Sequence, residues 1–351
     1  MRRLFFDRAL LAEGWRSDVA VAIDGRIIAA IAAGSPPPPG AERIAGLAIP
    51  GLPNVHSHAF QRAMAGLAER HEAGSDPFQR RERQDVPVAG TGSDPVDSFW
   101  TWREVMYRFV AEMTPDDIEA VAALAYAEML EAGFTSVGEF HYLHNAPDGS
   151  RYADPAETAA RIAAAAQATG IGLTLLPCFY AHGGCGGKPA TPAQARFLSD
   201  LDGFVRLMEA SRSHVAALDG ARLGLAPHSL RAVDAPELQA LCAAFPEIPI
   251  HIHAAEQENE VAECLTWSGA RPVQWLLDNM NLDERWCLIH CTHMTADETR
   301  RLARSGAVVG LCPITEANLG DGIFPATEFL LSGGRFAIGS DSNVRIAANE
   351  E

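Results

Sequence analysis

The sequence predicts an α/β protein in which a (β/α)8 barrel follows a small, partial β-sandwich domain at the N-terminus. Two observations lead to this fold class. Eight apolar runs of strand length are separated by segments that carry helix-capping signals. Near-continuous apolar strands that alternate with helices indicate a parallel sheet covered on both faces, and eight such units fit a closed barrel. The runs are residues 47–58, 135–143, 172–180, 221–229, 248–255, 286–293, 307–313 and 335–342.

The first 47 residues differ, because they have the pattern of short strands joined by turns. Asp24-Gly25 between two apolar runs is a hairpin signal, and the Pro-rich segment 35–40 is a connector. We therefore expect a β-rich domain at residues 1–47 and the barrel at residues 48–351. The printed sequence ends just after the eighth run, so we expect a C-terminal part of the barrel and of the β-domain to be missing from it.

Helix starts in the barrel are marked by capping residues that precede a proline or a capping box. A doubly wound sheet is the weaker alternative, because no glycine-rich phosphate fingerprint follows an early strand. Residues 59–104 form a long, polar, Arg-rich excursion, and loops of this length are usually lids or interface elements. Helices are expected to start at Thr114-Pro115, Asp154-Pro155, Thr191-Pro192, Asp234 with Pro236, and Thr295 with Glu298, and the first two are expected to end at Gly133 and Gly170.

The composition argues against several classes of partner. The net charge of −17 disfavours nucleic acid and anionic membrane surfaces. No run of about 18 apolar residues is present, so the sequence predicts no transmembrane helix. The seven cysteines lack CxxC spacing, which is typical of reduced thiols in a cytoplasmic protein. Lys188 is the only lysine, and it lies in a loop after the third run.

Ligand-type side chains end several predicted strands, where a barrel places its active site. His56 and His58 lie two positions apart at the end of the first run, so both imidazoles point to one face. His253 ends the fifth run and Asp341 the eighth. Taken singly, the histidine pair fits a chance pair in a loop and Asp341 fits a helix cap. Together they suit one Zn²⁺, with Fe²⁺ second, and an open position for a water of pKa about 7.

Two further residues are candidates for proton transfer. Glu256 follows His253 by three positions, where a carboxylate can lie beside a metal without binding it. The alternative is a helix N-terminal Glu favoured by the helix dipole. His290 ends the sixth run, while His251 fits either a supporting or a core histidine. Because no lysine ends a strand, a carboxylated lysine between two metals is disfavoured, which favours a single ion.

These motifs carry a resemblance to a known family. His-x-His, then His-x-His-x-Ala-Glu, then a histidine on the sixth run and Ser-Asp-Ser on the eighth resemble the amidohydrolase superfamily, in its mononuclear deaminase branch. The resemblance covers about residues 1–345. Five longer stretches are similar to the formimidoylglutamate deiminases of that branch: residues 56–62, 97–103, 138–144, 226–231 and 312–324.

The resemblance implies a hydrolase that converts N-formimino-L-glutamate and water into N-formyl-L-glutamate and ammonia, in histidine degradation. It implies that Zn²⁺ is held by His56, His58, His253 and Asp341. Asp341 would also take the proton of the bound water, Glu256 would protonate the imine nitrogen, and His290 would hydrogen-bond the water and the tetrahedral intermediate. A metal-activated water together with a carboxylic acid suits this amidine-type carbon.

A small dicarboxylate substrate needs cationic or donor groups. Arg231, which can offer a bidentate fork, follows the fourth run together with His228. Tyr142 and Gln61 lie at the ends of the second and first runs. Alternatively, Arg231 is a solvated loop residue and Tyr142 a packing aromatic. We interpret Trp100, Trp102 and Arg103 as lid or interface packing. We interpret the basic run Arg80, Arg81 and Arg83 as a solvated face.

Two other functions fit the same residues. A sister deaminase that acts on a purine, pyrimidine or related ring would use the same metal ligands, but it would not need a carboxylate fork at Arg231. A non-catalytic barrel scaffold is disfavoured, because all four ligands and both proton-transfer candidates are present. The long Trp- and Arg-rich loop and the family resemblance predict a homodimer.

Overall fold

The computed structural model describes residues 1–25, 27–67 and 99–344. Contacts within the chain divide it into two units, Met1–Leu52 and Pro53–Glu351. The division falls a few residues after the boundary expected at residue 47, and that boundary stays a prediction. The basic run Arg80, Arg81 and Arg83 and the side chain of Trp100 lie outside the described residues.

The described part of the N-terminal unit contains four strands: β1 (Arg2–Leu11), β2 (Gly14–Asp24), β3 (Ile27–Ala32) and β4 (Glu42–Ala48). They form one sheet in the order β3-β2-β1-β4. β2 pairs in antiparallel fashion with both β1 and β3, while β4 runs parallel to β1. Gly25 adopts a φ of +56° in the predicted turn between β2 and β3, a conformation that favours glycine. The predicted β-rich N-terminal domain is confirmed.

The second unit contains the eight predicted barrel strands, of which the fourth is split in two. They are β5 (Leu52–Ser57), β6 (Phe134–His141), β7 (Gly172–Phe179), β8 (Arg222–Leu223) with β9 (Ala226–Pro227), β10 (Ile250–Ala254), β11 (Trp286–His290), β12 (Val308–Leu311) and β13 (Arg335–Ile338). Two sheet paths result, β5-β6-β7-β8 and β10-β11-β12-β13, and β9 pairs with β7 beyond β8. Pairing is parallel from β6 to β9 and from β10 to β13.

Hydrogen bonds join these two paths at both edges. Parallel bridges link Ser57 to Asp341 at one edge, and Leu225 to Ile250 at the other. The N–H of Asp341 donates to the His56 carbonyl over 2.9 Å, which ties the last strand to the first. The eight strand positions therefore form a ring, and the predicted α/β barrel is confirmed.

Helices alternate with these strands as the capping signals predict. Thr114, Asp234 and Thr295 each form the N-cap of a capping box, and Gly170 ends its helix in the left-handed conformation. No helix in the described part of the chain combines the length and apolar character needed to cross a membrane. The helices are α1 (Phe99–Val110), α2 (Pro115–Glu131), α3 (Glu157–Thr169), α4 (Leu201–Ala216), α5 (Ala235–Ala244), α6 (Glu258–Ser268), α7 (Pro272–Asn279), α8 (Ala296–Ser305), α9 (Pro313–Leu319) and α10 (Ala326–Leu331).

The helix start expected at Thr191-Pro192 is wrong. Thr191 and Gln194 do form a capping box, but it opens only a 3-10 turn at Pro192–Gln194. The carbonyl of Arg196 accepts a hydrogen bond from the backbone N–H of His144, so this backbone pairs with a neighbouring loop and cannot continue a helix. α4 begins instead after the N-cap Asp200.

Most of the core of the second unit is one large cluster of buried apolar side chains, including Phe134, Phe140, Phe179 and Trp286. A smaller separate cluster is formed by Cys287, Ile289 and Cys312. Gly138 on β6 lies so close to β5 that an added Cβ would be 2.5 Å from the Val55 carbonyl oxygen. A residue without a side chain is therefore needed where these two strands meet.

Candidate metal centre and active site

A cavity of about 710 Å³ opens at the carboxyl ends of the barrel strands. Such ends carry the active sites of barrel enzymes. The structure brings all ten predicted site residues together here. His56 is buried beside the cavity, with its ring 4.6 Å from that of His58, centroid to centroid. The other nine line the cavity: His58, Gln61, Tyr142, His228, Arg231, His253, Glu256, His290 and Asp341.

Three of these side chains, His56, His58 and His253, place ligand nitrogens within 4.8 Å of one another, and Asp341 lies beside two of them. His56 Nε2 lies 3.1 Å from His253 Nε2, and Asp341 Oδ1 lies 3.4 Å from the Nε2 atoms of both His56 and His58. A tetrahedral ion with bonds of ~2.0–2.1 Å requires ligand atoms about 3.3 Å apart. These separations therefore fit a single small ion such as Zn²⁺.

The surroundings fix how the imidazoles present their nitrogens. The Nδ1–H of His58 donates to the Phe140 carbonyl over 2.8 Å, and that of His253 donates to the His228 carbonyl over 2.9 Å. In a neutral ring this leaves the lone pair on Nε2, which is the atom that faces the other ligands. Burial lowers the pKa of His58 and His253, and it lowers that of His56 to about 3. The three rings are thus neutral at neutral pH, as metal ligation requires.

Asp341 sits in a turn that its neighbours hold in place. Its φ is +53°, in the left-handed region that is unfavourable for a residue other than glycine, Asn or Asp. The Asn54 side chain holds this turn, since its amide donates to Ser340 Oγ over 2.7 Å and its oxygen accepts the Ser340 N–H. Gly339 allows close approach, because an added Cβ would lie 2.7 Å from the Cβ of His56.

Glu256 and His290 lie beside the candidate metal ligands. Burial raises the pKa of Glu256, so this carboxyl holds its proton to a higher pH than usual. His290 Nε2 is 3.8 Å from Glu256 Oε1 and 3.9 Å from Asp341 Oδ2. Burial alone would lower the pKa of His290, but Glu256 and Glu316 together with Asp341 raise it to about 10. Burial opposes ionisation of Asp341, yet contacts with His56 and His290 lower its pKa below the usual range. Glu256 therefore holds a proton more readily than Asp341 does.

The predicted substrate contacts form a wall of donors around this centre. Gln61 Nε2 donates to the Tyr142 hydroxyl over 2.8 Å, which leaves the Tyr142 O–H as a donor. Arg231 is 8% exposed, and its Nη2 lies 3.5 Å from Glu256 Oε2. This burial argues against a solvated loop residue. The substrate contacts of these side chains and of His228 stay predictions.

The sequence interpretation missed one wall of the cavity. Trp102 and Arg103, interpreted as lid or interface packing, line the cavity together with Met106 and Tyr107. These four positions recur at helical spacing along α1, and that spacing is the signal that could have predicted a shared face. Lys188 also lines the cavity, where its Nζ lies 2.6 Å from Glu263 Oε1.

Known proteins share this architecture. A formimidoylglutamate deiminase from Pseudomonas aeruginosa is 51% identical over 352 residues, which cover 100% of this chain and 73% of that protein. A 5-methylthioadenosine/S-adenosylhomocysteine deaminase from Natronomonas pharaonis is 31% identical, and the alignment covers 84% of this chain and 57% of that protein. The crystal structure of an amidohydrolase from Brucella melitensis matches with a TM-score of 0.89 at 51% identity, over 98% of this chain and 72% of that chain.

Sequence profiles of two families match the two parts of the chain. The profile of the amidohydrolase family matches residues 47–351. The profile of the N-terminal domain of formimidoylglutamate deiminase HutF matches residues 1–45. This chain therefore belongs to the amidohydrolase family, in its formimidoylglutamate deiminase group, and is a hydrolase that acts on carbon–nitrogen bonds.

Proposed function

We propose that this protein hydrolyses N-formimino-L-glutamate to N-formyl-L-glutamate and ammonia in histidine degradation, with one Zn²⁺ per chain. The relative that is 51% identical is a formimidoylglutamate deiminase. The observation that carries the proposal is the shared cavity. It combines a metal-ligand group with two guanidinium side chains, Arg103 and Arg231, on separate elements. A substrate with two carboxylates uses both cations, whereas a neutral ring has no need of them.

His56, His58, His253 and Asp341 would hold the ion, because His56 Nε2 lies 3.1 Å from His253 Nε2, and Asp341 Oδ1 lies 3.4 Å from the Nε2 atoms of both His56 and His58. A bound Zn²⁺ acts as a Lewis acid and lowers the pKa of water in the open position. Nitrogen and oxygen ligands also accept Fe²⁺, which we place second. The single lysine lies in an ion pair with Glu263 on the cavity wall, which supports a site for one ion.

The proton transfers are assigned by the ionisation of the side chains. Asp341, ionised because its pKa is low, accepts a proton from the attacking water. Glu256, whose pKa is raised by burial, donates its proton to the imine nitrogen as water adds to the formimino carbon. His290 Nε2 hydrogen-bonds the oxygen of the tetrahedral intermediate. Glu256 then passes the hydroxyl proton of the intermediate to the amino nitrogen, the carbon–nitrogen bond breaks, and ammonia leaves. The proton held by Asp341 returns to Glu256, so both carboxyl groups regain their starting state.

The substrate carboxylates are bound by the donors of the cavity wall. Arg231 offers a guanidinium fork to one carboxylate, with His228 beside it. The Tyr142 hydroxyl, which accepts from Gln61, donates to the other carboxylate together with Arg103. We also propose a homodimer in the cytoplasm. All seven cysteines lie in the described part of the chain and none of them forms a disulfide there, which supports a reducing compartment.

The test is ammonia release by zinc-loaded protein, with metal content measured on the same sample. N-formimino-L-glutamate is compared with guanine, cytosine and 5-methylthioadenosine. Turnover of formiminoglutamate alone, with N-formyl-L-glutamate as the carbon product, is the expected result. Turnover of a ring substrate instead would establish the sister-deaminase alternative. A zinc-loaded protein that turns over nothing in the panel would favour the scaffold.

A further inference from the structure

Glu316 is a buried carboxylate that the proposed reaction does not use. It lies on α9, which follows the seventh barrel strand, and it is 7% exposed. Its neighbours Thr315 and Leu319 line the cavity, whereas Glu316 is not among the lining residues. Within the part of the chain that the structure describes, Glu316 therefore lies behind the cavity wall and does not line the space for the substrate.

One oxygen of Glu316 holds the ring of His290. Glu316 Oε1 accepts the backbone N–H of Cys312 over 2.9 Å and lies 3.1 Å from His290 Nδ1. Since a carboxylate oxygen can only accept, Nδ1 carries the proton of this hydrogen bond. The backbone contact fixes the carboxylate, and the carboxylate fixes the ring.

The consequence for His290 is that Nε2 faces the reacting groups. Nε2 lies 3.8 Å from Glu256 Oε1 and 3.9 Å from Asp341 Oδ2. The backbone of His290 is itself strained, with φ of +70°, and Cys291 follows with +52°. This turn points the side chain toward the site, but it does not choose which ring nitrogen faces the substrate. Glu316 makes that choice.

We propose that Glu316 is a positioning residue that holds the Nδ1–H of His290 and thereby directs Nε2 at the oxygen of the reacting group. The inference rests on the proposed function for the reaction that His290 serves. A second metal site is the competing explanation, because the ligand atoms of His290, Cys312 and Glu316 lie within 4.8 Å of one another. Zinc content separates the two explanations.

A double-mutant cycle tests the proposal with Glu316→Ala, His290→Asn and the double variant. Loss of an orienting carboxylate typically costs about 10- to 100-fold in activity. We expect Glu316→Ala to lower kcat by that factor, with KM changed less than about threefold, because Glu316 does not touch substrate. In the His290→Asn background, Glu316→Ala should lower kcat by less than about twofold. Equal losses in both backgrounds, or an unchanged kcat, would overturn the proposal.

Two controls exclude a merely structural role. Glu316→Gln keeps an oxygen that can accept both hydrogen bonds, so it should recover part of the kcat lost in Glu316→Ala. Glu298→Gln alters another buried carboxylate, which caps α8 and pairs with Arg271. It should lower the melting temperature without coupling to His290. Zinc content should equal that of the wild type in Glu316→Ala, and loss of a second ion would establish the metal explanation.

A final readout needs no substrate. Nitrogen-15 spectra of the zinc-loaded protein, with the His290 ring assigned from the His290→Asn spectrum, report the hydrogen bond made by Nδ1. The wild type should show an Nδ1–H signal shifted by the bond to Glu316, and Glu316→Ala should lose that shift. Identical Nδ1–H signals in both proteins would refute the positioning role. If formiminoglutamate is not turned over but the Nδ1–H signal depends on Glu316, the proposed function fails while the positioning role stands.

Discussion

In the proposed function, the choice of substrate depends most directly on Arg231. It is 8% exposed at the cavity wall, so a carboxylate bound there is largely withdrawn from water. A hydrogen bond to a charged group contributes about 1.5–3 kcal/mol. Arg231→Ala should therefore lower kcat/KM for N-formimino-L-glutamate by about 10- to 150-fold, at 1.36 kcal/mol for each factor of ten.

The assay uses two truncated substrates alongside the full one. N-formiminoglycine lacks the side-chain carboxylate, and 4-formimidoylaminobutanoate lacks the α-carboxylate. The loss caused by Arg231→Ala should persist for one of them and vanish for the other, which identifies the carboxylate that Arg231 binds. Arg231→Lys should recover only part of the loss, because an ammonium cannot form the bidentate fork.

The pH profile gives an independent readout of the same variant. Arg231 Nη2 lies 3.5 Å from Glu256 Oε2, and this cation lowers the pKa of Glu256 against the effect of burial. Removing the cation raises that pKa further. Because Glu256 acts as an acid, the alkaline limb of kcat should move to higher pH. Arg300→Ala, which removes an exposed partner of Glu328, is the matched control. An unchanged kcat/KM in Arg231→Ala for all three substrates would refute the assignment.

Four further variants test other parts of the structure. Glu256→Gln should lower kcat by about 10²–10⁴-fold and keep its zinc, whereas His253→Ala should lose zinc by elemental analysis; equal zinc loss in both would contradict the separate roles. Gly339→Ala should reduce the free energy of unfolding in urea by about 1–3 kcal/mol, because the added Cβ would lie 2.7 Å from the Cβ of His56. Unaltered stability would mean that the neighbouring strands can move apart to make room for the methyl group. Burial raises the pKa of Glu139 to about 8. Between about pH 4.5 and 8 the folded state therefore binds more protons than the unfolded state. The free energy of unfolding falls by up to ~1.4 kcal/mol for each pH unit of increase in that range. Glu139→Gln should flatten the fall of melting temperature with pH, and curves that stay parallel to the wild type would count against this shift.

Much of the fold could be predicted because buried parallel strands are nearly continuous runs of apolar residues. All eight runs form strands, and the ligand-type residues at their ends meet in one place, since parallel strands end at the same side of a barrel. Capping boxes also mark helix starts reliably where the following residues are free to continue, as at Thr295. At Thr191 they are not free, because a loop far away in sequence takes the backbone carbonyl of Arg196.

Other parts of the site depend on contacts between distant segments. Arg103 reaches the cavity because α1 packs against the mouth of the barrel, and its own spacing does not show which face of α1 turns inward. Glu316 lies at a position typical of a helix first turn, where the helix dipole alone would explain a carboxylate. Only the 3.1 Å distance between Glu316 Oε1 and His290 Nδ1 shows that this carboxylate also contacts a side chain of the site.

The site lies on the seam where the last barrel strand meets the first. Asn54 bonds to Ser340, and Asn343 bonds to Ser57, each across 286 positions of sequence. An ion held by His56, His58 and Asp341 would bridge this same seam and hold the first and last barrel strands together. Contacts of such high sequence separation form late in folding, because the entropy of closing the long loop must be overcome first. With such an ion, metal affinity and the completeness of folding would be linked, and free zinc should slow the opening of the barrel between its first and last strands.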